Sequence, residues 1–308
     1  MRTVGLSLLL ASLLGHPALA ADKTNATDLT ITSYLAPGLQ YFRAASDSLA
    51  ASGNPVSINI IEGQWFKNKL AISKPEVLKD VLSGKAVTTG VRHLTDEERA
   101  KGLREIVLGY YAAVVFAHPD APVESIDTKK WASVIQTGKK FKWRDISSPE
   151  QKSITKKNQT KDPLDQQVTW SFPDASYADF ARPFVNMGAI SEALIKTFPK
   201  NGPDLTPIAS TYVTAENKNS IGIFGYNLIL GNQIHALKPV KVLKVNGVYP
   251  NERTIADNTY PFTQPVTLIY SAKAEENPKH SIHKIIAFLK TPPATAAAQQ
   301  RGLIRAKF

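Results

Sequence analysis

The sequence predicts an α/β protein, built either as one large unit or as two lobes, and three features support this class. Short β-branched runs, such as Asp28–Tyr34 and Pro55–Ile61, alternate with helical stretches such as Lys74–Ser83. A chain of 308 residues with 43% hydrophobic residues can bury a sizeable core. Its 20 Pro and 17 Gly favour many turns over long helical bundles.

The first strand is predicted at Asp28–Tyr34, and a helix follows over about 39–51, with Pro37 suited to its first turn. Ser33 and Tyr34 therefore lie where a strand meets a helix N-terminus. Free backbone N–H groups at such a place can bind an anion. The same pattern also fits an N-terminal cap that binds nothing.

Two further strands are predicted before residue 93. Pro55–Ile61 is followed by a turn that contains Gln64, and Ala86–Arg92 forms a short strand and loop after a helix that Gly84 ends. Thr88 and Thr89 place neutral donors and acceptors in that strand.

Ile106–Ala117 is an apolar run too long for one simple strand, and it fits a strand that continues from one lobe into another. Ile126–Ile146 reads as a short helix, a glycine stop at Gly138, and Trp143 covering the core. Ser147–Lys161 is polar and rich in lysine, which is typical of an exposed insertion.

The later part of the chain carries strand and helix signals of the same kind. A strand at Gln167–Ser171 precedes a helix from about Ala178, which Asp174 or Ser176 would cap. Pro265–Tyr270 is a strand whose pairing is predicted to begin after the proline.

The last long helix is predicted over His280–Lys290. His280 and His283 lie three residues apart and could form a metal pair, although a solvated helix start fits them better.

The N-terminus and the charge limit the compartment and the partners. Residues 1–20 match a secretory signal, with Arg2 before an apolar run, so we expect a periplasmic or secreted protein. Because no Cys is present, neither a lipid anchor nor a disulfide is expected. The net charge of +11 favours anionic partners. The sequence has no basic stripe interleaved with aromatic residues, so nucleic-acid binding is not predicted.

The sequence contains no motif for the common catalytic sites. It has no P-loop, no G-x-S-x-G, no H-E-x-x-H and no Cys cluster. We therefore expect no enzyme activity, no cofactor and no metal. A hydrolase is a distant third hypothesis, behind a solute-binding protein and a secreted interaction protein.

Two segments carry a family resemblance. In the later segment, the residues that match the family pattern are Pro250, Thr254, Ile255, Asp257, Tyr260, Pro261 and Pro265. The middle segment matches at Ile135, Gly138, Lys139, Phe141, Trp143 and Asp145. With them the chain, over about Leu29–Leu303, resembles the periplasmic phosphate-binding (PstS-like) proteins of phosphate ABC transporters, as a divergent member.

The resemblance implies a type II periplasmic-binding fold, in which two α/β lobes with mixed sheets are joined by two crossing strands. Lobe one would comprise residues 22–115 and 225–308, and lobe two residues 116–224, after a signal peptide at 1–20. The chain would return to lobe one near Asn219–Leu230. A cleft between the lobes would hold the ligand.

The resemblance also implies an altered phosphate site. The family's Asp falls at about Val87, its Arg near Trp170 and Ser171, and Tyr177 and Ala178 replace its Gly-Thr. Glu62 would also meet a bound phosphate as a like charge. The predicted ligand-binding residues are Ser33, Tyr34, Gln64, Thr88, Thr89, Ser176 and Tyr177.

We therefore expect an exported, monomeric solute-binding protein that takes a small anionic, phosphate-like ligand and works with the membrane permease of an ABC transporter. The alternative is a secreted interaction or surface-binding protein that retains the scaffold without a small-molecule ligand. Permease and ATPase genes beside this one would favour the transporter.

Overall fold

The computed structural model describes most of the chain between Thr27 and Arg305. The described residues are 27–33, 36–51, 56–62, 72, 74–138, 140–149, 162–171, 184–198, 214–226, 240–300 and 303–305.

Strands and helices alternate along the described residues. The strands are β1 (Thr27–Ser33), β2 (Val56–Glu62), β3 (Ala86–Gly90), β4 (Leu103–Ala117), β5 (Ser125–Ile126), β6 (Phe141–Lys142), β7 (Gln167–Trp170), β8 (Ser220–Gly225), β9 (Lys241–Val242), β10 (Lys244–Val245), β11 (Thr263–Ser271) and β12 (Ile304–Arg305). The helices are α1 (Ala36–Ala51), α2 (Pro75–Leu82), α3 (Asp96–Ala100), α4 (Thr128–Thr137), α5 (Glu192–Ile195), α6 (Glu252–Ala256), α7 (Ala272–Glu276), α8 (Ile282–Leu289) and α9 (Pro292–Gln300), with 3-10 turns at Trp143–Asp145 and Pro163–Asp165.

The strands form two groups that share β4. In the first strand group the order is β2, β1, β3, β11 and β4, with β12 also beside β4. Here β1 is parallel to β2 and β3, and β11 is antiparallel to β3 and β4. In the second strand group β4 pairs with β8 and β9, and β8, β7 and β6 follow in order.

Strand β4 changes partner partway along its length. Residues Leu103–Ala112 pair with β11, and Ala113–Ala117 pair with β8. The sequence prediction of one strand that runs through two parts of the molecule is therefore confirmed.

The core is divided in the same way. The first cluster lies between the first strand group and helices α1, α8 and α9, and its buried members include Phe42, Val87, Leu108, Val266, Leu268, Ile285, Leu289 and Ala298. The second cluster packs around the second strand group and includes Val115, Trp131, Trp143, Phe184, Ile223, Leu243, Tyr260 and Phe262. Tyr111 packs against both clusters, so it lies where the two cores meet.

The predicted return to lobe one near 219–230 falls partly outside the described residues, which end at Tyr226 and resume at Val240, and β11 is the next described strand of the first strand group. Strand β8 pairs with β7 and with the second half of β4, so residues 220–225 still belong to the second strand group. The Phe262 carbonyl then accepts a hydrogen bond from Ala113 N at 2.9 Å, directly before β11 begins.

Pairing in β11 begins before Pro265, so the prediction of a later start is wrong. Thr263 already pairs with Ala112, and Pro265 pairs with Tyr110. Strand β3 pairs with β11 only from Thr267 onward. Because one edge of β11 has no described partner strand at Pro265, the missing N–H of proline is tolerated there.

Helix α4 follows the predicted pattern. Asp127 accepts hydrogen bonds from Lys129 N and Lys130 N at its start, and Gly138 ends it in the left-handed conformation (φ 60°). Trp143 is fully buried, as predicted. The prediction of an exposed insertion from Ser147 is wrong at its first residue, because Ser147 is buried and bridges to Ile126. Residues 150–161 lie outside the described part of the chain.

Candidate functional site

Parallel strands bring two predicted site elements to one edge of the sheet. Ser33 is the last residue of β1 and pairs with Glu62, the last residue of β2. On its other side, Thr32 pairs with Thr88 of β3. Because neighbouring strands lie about 4.8 Å apart, the ends of β1, β2 and β3 form one continuous edge. Open α/β sheets bind ligands outside the carboxyl ends of their strands, so this edge is the candidate site.

Helix α1 adds to the same edge. It begins at Ala36, three residues after Ser33, and runs for 16 residues. Its first turn carries no acidic residue, so its free N–H groups are not opposed by a carboxylate of their own turn.

Thr88 and Thr89 are both buried, at 0% and 2% exposure, and point to opposite faces of the sheet. Thr88 Oγ1 lies 3.5 Å from Thr89 O. Thr89 shares its face with Val87, whose buried side chain packs in the first cluster. The position at which the resemblance expects a carboxylate is therefore occupied by core.

The guanidinium that follows β3 is engaged by a carboxylate. Arg92 Nη1 and Nη2 donate to the two oxygens of Glu98 at 2.8 and 2.9 Å, and Nη1 also donates to His93 O at 2.7 Å. The hydrogen bond with Glu98 raises the pKa of Arg92, and the hydrogen bond from Arg92 lowers the pKa of Glu98. Arg92 therefore stabilises the approach to α3 and is less available to an anion.

A second feature lies where β4 changes partner, and no sequence pattern indicated it. Gln264 pairs with Tyr111, so the two side chains lie on the same face. Gln264 is 4% exposed, and neither Oε1 nor Nε2 has a hydrogen-bond partner. Tyr111 stacks on Phe184 with ring centroids 6.0 Å apart, and burial raises its pKa to about 12. The neutral phenol of Tyr111 and the carboxamide of Gln264 are thus on the same face at the junction of the two strand groups.

The structure brings together only part of the predicted site. Ser33, Thr88 and Thr89 lie at or beside the candidate edge. Tyr34, Gln64, Ser176 and Tyr177 lie outside the described residues, as does the helix predicted from Ala178. The predicted meeting of Ser33 with Ser176 therefore stays a prediction.

The two histidines near α8 contact backbone groups. His280 Nε2 lies 2.7 Å from Gly84 O, and its Nδ1 accepts from Ile282 N at 3.1 Å. His283 Nε2 lies 3.0 Å from Asn277 O. Over the described residues, no group of three or more His, Cys, Asp or Glu could hold a metal ion.

No helix among the described residues has the length and apolar character needed to cross a bilayer.

Comparison with curated proteins places the chain near one group of relatives. No family model matches it. The phosphate-binding protein PstS of Borreliella burgdorferi is 24% identical over 225 residues, which cover 70% of this chain and 71% of that protein. PstS of Staphylococcus aureus is 27% identical over 186 residues, covering 60% of this chain and 50% of that protein. The chain thus spans about half the length of the second relative.

Solved structures show the same architecture. The PstS structure from Borrelia burgdorferi has a TM-score of 0.64 at 14% identity and covers 92% of this chain and 100% of that chain. A possible phosphate binding protein from Planctomyces limnophilus has a TM-score of 0.63 at 13% identity, covering 92% and 94%. An ABC-type phosphate transport receptor from Vibrio cholerae has a TM-score of 0.57 at 14% identity, covering 91% and 100%.

These likenesses and the shared strand β4 establish the fold. The fold is the type II periplasmic-binding fold, an α/β fold whose two lobes carry mixed sheets joined by crossing strands. In sequence, the chain is similar to PstS proteins at 24% and 27% identity over 70% and 60% of its length.

Proposed function

We propose that this chain is an exported solute-binding protein of an ABC transporter, which binds a small phosphate-like anion between its lobes at a weakened or altered phosphate site. The observation that carries the proposal is the common edge at which β1, β2 and β3 end, with Ser33 on one strand and Thr89 on the next. The names of the relatives, phosphate-binding proteins and a phosphate transport receptor, support the same class of solute.

The weakened site is supported by two contacts near that edge. Val87 packs in the first cluster, so β3 offers no carboxylate at this position to accept a proton from a ligand. Arg92 already donates both outer nitrogens to Glu98. With fewer charged partners, less of the desolvation free energy of a bound anion is offset, so the affinity is lower.

The remaining parts of the proposal concern organisation. We propose a signal peptide at 1–20, a periplasmic or secreted location, a monomer, and a transporter permease as partner. The lobe boundaries 22–115 with 225–308, and 116–224, stay a proposal. The packing of Leu243, Tyr260 and Phe262 in the second cluster favours assigning residues 241–262 to the second lobe instead.

The test is isothermal titration of the mature protein with phosphate, sulfate and molybdate. We expect measurable phosphate binding with a Kd weaker than ~1 μM. Thr89→Val, which removes the hydroxyl of Thr89 at the edge, should weaken it further. The matched control is Thr291→Val. The Thr291 hydroxyl donates to Phe288 O at 2.7 Å and lies in a part of the sequence far from the candidate edge, so this substitution should leave the affinity unchanged.

Two outcomes would change the proposal. A submicromolar phosphate Kd would show that the site is intact and not weakened. No heat with any of the three anions would favour the alternative, a secreted interaction protein without a small ligand.

A further inference from the structure

Asn246 and Gly247 form a tight turn that the proposed function does not use. They lie between Val245 and Val248, whose backbone N–H and C=O groups bond each other in both directions at 2.9 Å. Both turn residues have positive φ, 50° for Asn246 and 79° for Gly247, as in the Asn-Gly type I′ turn of β-hairpins. Both are also exposed, so water reaches this turn.

An Asn-Gly pair is chemically reactive by itself. The backbone nitrogen of the glycine can attack Cγ of the asparagine, because glycine has no side chain to hinder the approach. The N–Cγ bond forms and a succinimide ring closes, while the glycine N–H proton passes through water to Nδ2, which leaves as ammonia. A water molecule then opens the ring at either carbonyl and leaves an α-aspartyl or a β-aspartyl linkage.

Neighbouring elements hold both reacting groups of this pair. Asn246 Oδ1 accepts from Thr128 N at 2.9 Å at the start of α4, and its Nδ2 donates to Thr128 Oγ1 at 3.0 Å. Gly247 N donates to Ser125 Oγ at 3.0 Å, and Ser125 lies in β5, which pairs with β10. Ring closure turns the carboxamide onto the Gly247 nitrogen and removes the proton of that nitrogen. All three hydrogen bonds therefore oppose the reaction.

We propose that Asn246 is a site of spontaneous deamidation whose rate is set by the opening of these three hydrogen bonds. Each local opening of the corner between β5, β10 and α4 frees the carboxamide and the Gly247 nitrogen to react. Both products lose the donor to Thr128 Oγ1, and the β-aspartyl product also lengthens the main chain of the turn. The modification therefore weakens the anchor of α4, whose Trp131 is fully buried in the second cluster.

The test is peptide mapping by mass spectrometry during incubation of the full mature protein in mildly alkaline buffer. The measured quantity is the rate at which the peptide with Asn246 gains the mass of an amide-to-acid conversion. We expect this rate to be on the order of 100-fold lower in the folded protein than in guanidinium chloride, the factor for three hydrogen bonds. Equal rates in the two conditions, or no conversion in the unfolded chain, would overturn the proposal.

Two variants test the contacts one at a time. Ser125→Ala removes the acceptor of the Gly247 N–H, and Thr128→Val removes the acceptor of Asn246 Nδ2. Each should raise the rate in the folded protein about fivefold, the factor for one hydrogen bond. Rates equal to that of the unmodified protein in both variants would overturn the proposal. If a variant does not fold, the comparison of folded and unfolded unmodified protein still decides.

Thr137→Val is the matched control, at the far end of the same helix. The Thr137 hydroxyl donates to Val134 O at 2.9 Å, so its loss should leave the rate at Asn246 unchanged. An equal acceleration in this variant would assign the effect to general loosening of α4 and would overturn the role of the three hydrogen bonds. Asn258 is the internal reference, since it is exposed with φ 53° but is followed by Thr259. In guanidinium chloride it should convert more slowly than Asn246, because the threonine side chain hinders the attack.

Discussion

Two buried tryptophans of the second cluster differ in one hydrogen bond. Trp131 and Trp143 are both fully buried. Trp131 Nε1 donates to Ala189 O at 2.9 Å, whereas Trp143 Nε1 has no hydrogen-bond partner. At the scale of single residues, equal burial therefore does not mean an equal contribution to stability.

Substitution by phenylalanine should separate the two residues. Trp131→Phe should lower the free energy of unfolding by about 1–3 kcal/mol more than Trp143→Phe, because it leaves the buried Ala189 carbonyl unpaired. Both substitutions remove a similar volume, so Trp143→Phe is the control for packing. Urea unfolding followed by far-UV circular dichroism measures the difference. Equal losses in the two variants would contradict the assignment of stability to this hydrogen bond.

Sequence patterns predicted which residues are buried better than they predicted their partners. The sequence predicts Trp143 in the core because it follows a helix and a glycine stop, and Trp143 is buried. The partner of Trp131 is 58 residues away, and Gln264 faces a tyrosine on another strand. Such contacts are set by tertiary pairing, which a local pattern does not encode.

Helix α3 shows an element whose start is specified locally. Thr95 Oγ1 accepts from Glu98 N at 3.2 Å, and the Glu98 carboxylate accepts from Thr95 N at 2.8 Å, which is a capping box. The same carboxylate holds Arg92. One side chain therefore joins the helix start to the loop after β3, and the ion pair with Arg92 needs it ionised.

The pKa of Glu98 is lowered in the folded protein, chiefly by its hydrogen bond from Arg92. A carboxyl with a lowered folded pKa stabilises the protein above its unfolded pKa of about 4.3 and loses that effect as pH falls through the folded value. Glu98→Gln should therefore cost about 1 kcal/mol at pH 7. The difference from the unmodified protein should shrink as pH falls below about 4.

Glu97→Gln is the control for this experiment, since Glu97 is exposed in the same first turn of α3. It should change the unfolding free energy by less than about 0.5 kcal/mol at pH 7. Urea unfolding at pH 7 and at pH 3 gives the comparison. A difference between Glu98→Gln and the unmodified protein that is the same at both pH values would refute the ionic origin of the effect.

Most elements could be located from sequence, and the exceptions have physical causes. Strands β1, β2 and β7 and helices α2 and α8 lie within about two residues of their predicted bounds, and α4 ends at the predicted glycine stop. The start of β11 was misplaced because proline is tolerated where β3 does not yet pair.

At the scale of the whole molecule, β4 is the physical link between the two halves. Its Leu108 packs in the first cluster and its Val115 in the second. Ser33 lies near the threonines of β3 because β1 pairs with β3, although β2 and α2 separate these two strands in the sequence. The family resemblance predicted Ser33, Thr88 and Thr89 at one site, whereas the segments taken singly did not.

A shared strand predicts that the two clusters unfold together. Leu108→Ala removes a fully buried side chain from the first cluster, and we expect a loss of about 2–5 kcal/mol. Trp131 and Trp143 belong to the second cluster and Trp170 packs against it, so in a Trp65→Phe background tryptophan fluorescence reports on that cluster. Because β4 couples the two, fluorescence and far-UV circular dichroism should shift to the same lower urea midpoint.

The reciprocal variant Val115→Ala, in the other half of β4, should also shift both signals together. If Leu108→Ala moves only the circular dichroism signal and leaves the fluorescence midpoint in place, the two halves unfold independently. In that case β4 would connect the clusters without coupling their stabilities.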